Sequence, residues 1–125
     1  MALSVEILAY CQSEKVKAGL IWMSQGMLQF QGRPAARPGA AEELALSILA
    51  MLRDDIQLGW RLTGEEAWQR ADEHVQRAVA MIHSGVAHDA PWHLTLALRR
   101  ITALGEAAHA RLEGEASNRS GGGGT

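Results

Sequence analysis

Three histidines and an aspartate fall within eleven residues of this chain: His83, His88, Asp89 and His93. Imidazole and carboxylate are proper ligands for zinc, nickel or iron, so a transition metal, if one binds, is expected first at this cluster. The five-residue steps between the histidines do not place two of them on adjacent turns of one helix, as a four-residue step would. Without a metal, Asp89 serves as a cap and His83 sits at a helix C-terminus, where the dipole favours a cation. A second set of groups lies within the helices themselves. Glu14 interrupts an apolar seam, and Asp55 projects between Leu44 and Ile48 inside an apolar arc. A carboxylate in such a setting must be paired, protonated or metal-bound. Glu106 and His109 carry the Glu-x-x-His spacing that serves di-iron carboxylate bundles. Those bundles use two such motifs and two further glutamates, and this chain has one motif.

Arg77 and His83 form an Arg-x5-His spacing that resembles the catalytic motif of the HEPN ribonucleases, a family of small helical dimers. The resemblance implies RNA cleavage, and it covers two residues. Ala78 stands where that family favours a polar residue, and the two side chains point about 120° apart on a regular helix. Arg99 and Arg100 would suit a helix reading DNA, but a chain of net charge −2 and pI near 6.2 lacks the basic footprint of a nucleic-acid or anionic-membrane binder. A solvated arginine pair is the expectation. The lone Cys11 has no disulfide partner and sits among apolar neighbours, as a buried thiol does.

The elements that must position these groups are helices. Alanine, leucine, glutamate, arginine and methionine dominate, and apolar residues make up 47% of the chain. Periodicity predicts helices over about 3–30, 41–62, 64–84 and 91–112, forming one domain over 1–114 with a flexible Gly/Ser tail at 115–125. Val16, Leu20, Met23, Met27 and Phe30 make one seam of the first helix, although the polar run at 12–15 could break it in two. Leu3, Ile7, Tyr10, Ile21 and Leu28 make a second seam on nearly the opposite side. Residues 44–52 of the second helix contain one polar side chain, Ser47. The third helix opens on Thr63 and Glu66 as a capping box and carries Trp68, Ala71, Val75, Ala78 and Ile82 on one stripe. Pro91 suits the first turn of the fourth helix, whose stripe runs through Leu94, Leu98, Ile101, Gly105, Ala108 and Leu112 to a stop at Gly114. A loop at 31–40, carrying Gly32, Pro34, Pro38 and Gly39, divides the first two helices.

This apolar surface exceeds what one small core can cover. The expectation is therefore an all-α, four-helix-bundle-like domain that homodimerises through its first and second helices. Off-seam residues Tyr10, Ile21, Trp22, Leu28, Trp60, Trp92 and Leu96 are the predicted interface or ligand-binding set. Residues 1–6 lack a secretory signal and no run suits a bilayer, so a cytoplasmic chain is expected. The predicted role is non-enzymatic: a homo-oligomeric module binding another protein or a small ligand, with no cofactor, nucleic acid or membrane. The alternatives are a metal-binding bundle or metalloenzyme using histidine and carboxylate ligands, and then the ribonuclease.

Overall fold

The structure, a computed structural model, describes residues 2–30 and 39–123. It contains α1 (Ala2–Phe30), α2 (Ala40–Thr63), α3 (Glu66–His83) and α4 (Ala90–Gly123), with a short 3-10 turn over Ala87–Asp89 before the last helix. No strand occurs among the described residues, and the fold is an all-α four-helix bundle. Most of the loop expected at 31–40 lies outside them, as do the last two residues of the tail. No helix among the described residues is long and apolar enough to cross a membrane.

The helices form a ring in which each packs on its chain neighbours and α1 closes against α4. Contacts fix the directions. Gln12 and Asp55 join α1 to α2, Arg53 and Asp72 join α2 to α3, and Glu6 and Arg111 join α1 to α4. Each of these pairs runs antiparallel, so α3 and α4 must as well. The core holds the first seam of α1 through Met27, the whole predicted stripe of α3, and Ala45, Leu49, Leu52 and Ile56 of α2. Of the α4 stripe, Leu94, Ile101, Gly105 and Ala108 are buried, while Leu98 and Leu112 are half-buried. Each large aliphatic side chain buried in this way stabilises the fold by about 1.5–3 kcal/mol.

Helix α1 is continuous through its polar run because the first half of that run is satisfied inside the bundle. Gln12 and Ser13 are both buried. The Gln12 amide donates to the Asp55 carbonyl at 2.7 Å, and Ser13 Oγ donates to the Tyr10 carbonyl at 2.7 Å.

Three local expectations are corrected. Thr63 does not open α3; it is the last residue of α2, where its hydroxyl donates to the Gly59 carbonyl and accepts from the Glu65 N–H. The left-handed turn falls at Gly64 (φ 70°), whose N–H bonds the Trp60 carbonyl, so α3 starts only at Glu66. Second, α4 does not stop at Gly114 but runs on to Gly123. A single glycine costs a helix about 1 kcal/mol but does not end it unless the backbone turns left-handed, and among the described residues positive φ occurs at Gly39, Gly64 and Gly85. Third, Cys11 is exposed. Its neighbours in sequence are apolar, but on the wheel it falls on the outward stripe of α1 with Lys15, Ala18 and Trp22.

Candidate functional site

The α1–α2 pair presents an exposed apolar face. Lys15 Nζ meets Asp55 Oδ1 at 3.3 Å across the outside of this pair, and Gly19 lets Leu52 pack on the α1 backbone one turn further along. Two helical turns forward along α1 and two back along α2 set Trp22 level with Ile48. Two turns the other way bring Leu8 level with Leu62. On α2, Leu44, Ile48, Met51 and Leu58 share the stripe of Asp55, at steps of four, three and seven residues. Leu8, Trp22, Leu44, Ile48, Met51 and Leu58 are all exposed, Trp22 by 77% and Met51 by 67%. The face is therefore two apolar fields with one ion pair between them. By their exposed fractions these six residues offer on the order of 600 Å2, near the roughly 800 Å2 per partner of a standard interface.

The predicted interface residues are spread over several sides. Trp22 lies in the face just described. Tyr10, Ile21 and Leu28 share the stripe of Lys17 on the α4 side of α1, where Tyr10 packs against His109 with ring centroids 5.6 Å apart. Trp60 shares the stripe of Arg53 on the α3 side of α2 and is just exposed. Trp92 points outward from the first turn of α4, and Leu96 is half-buried. Leu8, Leu44, Ile48, Met51 and Leu58 were missed as a set. Their signal was the all-round apolarity of α2, which a single-helix wheel cannot align with Trp22.

The proposed ligating groups do not gather. Glu14, Glu106 and His109 do line one cleft of about 280 Å3 between α1 and α4, with Tyr10, Lys17, Thr102 and Gly105. Within it Glu14 is held by Lys17 at 3.2 Å, and His109 lies 3.6 Å from Glu113. Asp55 is on another side, paired with Lys15. His83 ends α3 in solvent, and His88 approaches Asp89 at 3.6 Å. Among the described residues, no three His, Cys, Asp or Glu side chains are arranged to hold a metal ion. The Arg77 guanidinium lies on His74 Nδ1 at 3.4 Å, one turn back along α3 from Arg77, and not on His83.

The carboxylate that is truly buried is Asp72, which sequence reasoning passed over. It accepts two bonds from Arg53, at 2.9 and 3.2 Å, and a third from Gln76 at 2.7 Å. The hydrogen bond to Asp72 is the main reason the Arg53 pKa lies above its ordinary value. Its signal was position: Asp72 follows Trp68 by one turn, at the border of the core stripe. At the end of the ring Arg111 bridges Glu6 at 2.8 Å and Glu65 at 2.9 Å, and its pKa is raised, chiefly by the bond to Glu6.

On the opposite outer face, between α3 and α4, His74 has its pKa lowered. Burial is the largest cause, followed by the positive fields of Arg77, Arg100 and His93, which Glu73 offsets only in part. Because the folded pKa lies below the unfolded value of 6.5, His74 leaves stability intact above pH 6.5 and removes it as pH falls towards the folded pKa. Thermal midpoints recorded above and below pH 6.5 are expected to drop more in the parent protein than in His74→Gln; parallel drops would assign the acid sensitivity elsewhere.

Comparison with known proteins adds no assignment: no family model, no curated protein and no solved structure matches this chain.

Proposed function

We propose that this chain is a self-associating interaction module whose α1–α2 face packs on the same face of a second copy. The observation that carries the reading is the collection of Leu8, Trp22, Leu44, Ile48, Met51 and Leu58 on one side of the bundle, centred on Lys15 and Asp55. A second copy suits this surface because a two-fold contact is self-complementary. With the axis near the ion pair, each Lys15 meets the other chain's Asp55 and each apolar field meets an apolar field. Trp22 supplies the kind of large, rigid anchor that dominates interface energetics.

Light scattering across a micromolar dilution series tests this. The parent protein is expected to run as a dimer. Trp22→Ala should weaken dimerisation by at least about thirtyfold, as loss of an anchor worth roughly 2 kcal/mol requires. Met51→Glu should leave a folded monomer, since both positions are exposed enough to be changed without disturbing the core. A parent protein that stays monomeric throughout overturns the proposal, and so does a dimer indifferent to both substitutions.

A further inference from the structure

The cleft between α1 and α4 is built by matched steps on two antiparallel helices. Tyr10, Glu14 and Lys17 follow one another along α1, while Thr102, Gly105 and His109 run the other way along α4. Tyr10 meets His109 with ring centroids 5.6 Å apart. One turn on, Gly105 brings the two backbones together and leaves the floor without a side chain. A Cβ there would lie 2.7 Å from Ser13 Oγ and 3.8 Å from Glu14 Oε1. The charges along this cleft do not cancel. Lys17 Nζ is engaged by Glu14 Oε1 at 3.2 Å, and Glu113 stands 3.6 Å from His109 at the aromatic end. Glu106 has no ion-pair or hydrogen-bond partner among the described residues, and it lies one turn from the ring of His109. One carboxylate of the lining is therefore left uncompensated beside an aromatic pair.

We infer that this cleft binds a small alkylammonium monocation, with its N–H groups on Glu106 and its carbon chain against the Tyr10 ring. Charge selects the sign: two lining carboxylates face one lysine ammonium, and a single positive charge restores the balance. The aromatic pair selects an organic cation, because a ring face attracts positive charge and also packs against the methylenes that carry it. A bare metal ion is poorly served, since no three ligating side chains converge among the described residues. The cleft volume of about 280 Å3 equals roughly nine waters at about 30 Å3 each, room for a short carbon chain and its headgroup. The cleft opens on the α4 side of α1, away from the Lys15–Asp55 pair, so its occupancy and the oligomeric state are separate measurements.

The probe is n-butylammonium chloride, titrated into the intact protein through the millimolar range against sodium chloride of equal ionic strength. Tyr10 is the one tyrosine of the chain, so its ring NMR signals report on the cleft directly. Those signals and the His109 ring signals are expected to shift together and saturate. They should not do so with n-butanol, which has the same chain without the charge. Glu106→Gln should weaken binding by about tenfold, the worth of one charge-assisted bond. Lys17→Gln should strengthen it by about threefold, as freeing Glu14 from a surface ion pair allows. Neither side chain belongs to the core, so both variants keep the fold. Equal shifts with n-butanol or sodium chloride, unchanged binding in Glu106→Gln, or weaker binding in Lys17→Gln overturns the proposal.

Discussion

Gly59→Ala is expected to destabilise the bundle by about 2 kcal/mol and Gly59→Val by about 4 kcal/mol, although alanine is the better helix former. A Cβ at Gly59 would lie 2.7 Å from three atoms of the Trp68 indole ring. Trp68 is 1% exposed and is held by the core on its other side, so the ring cannot step back without parting α2 from α3. Gly26 is the control. It also sits within a helix, but a Cβ there meets nothing within 4 Å, so Gly26→Ala should stabilise by about 0.5–1 kcal/mol. Urea unfolding of the three variants reads both signs. A neutral or stabilising Gly59→Ala would mean that α2 and α3 do not approach as closely as described.

The second large effect is an asymmetry within one ion pair. Arg53→Ala leaves the Asp72 carboxylate, whose side chain is 3% exposed, with the Gln76 amide as its remaining partner, and should cost about 3 kcal/mol. Asp72→Ala leaves the Arg53 guanidinium, whose side chain is 40% exposed and already reaches water, and should cost about 1 kcal/mol. Chemical denaturation of the two single variants decides it. Equal costs would mean that the bond's own energy, rather than the stranded carboxylate, sets the loss.

What could be read from the sequence was what one helix determines alone. The stripe from Trp68 to Ile82 and the seam from Val16 to Met27 repeat with the period of the helix and enter the core as that period requires. Gly64 and Gly85 stand at left-handed turns, where glycine is the favoured residue. Gly114 carries the same residue type without the turn, and type alone could not separate the cases. The candidate sites were less legible because each is made by two helices at once. Asp55 was readable as a carboxylate in need of a partner, yet Lys15, forty positions away, became visible only when α1 and α2 were set side by side. Glu14, Glu106 and His109 do meet at one cleft, but the Lys17 beside Glu14 changes what that meeting can do.

The closure of α1 against α4 also governs the order in which the chain acquires its structure. The pairs α1–α2, α2–α3 and α3–α4 each join consecutive segments, whereas the seam where Gly105 admits Ser13 closes a loop of roughly 90 residues. Its entropic cost must be met before its contacts give anything back, so the pairs of consecutive helices form first. The Ser13–Gly105 seam thus belongs to the last steps towards the native state. Weakening it should hasten unfolding while leaving the folding rate nearly unchanged, so this seam, more than the better-filled α3 stripe, sets how long the closed bundle survives.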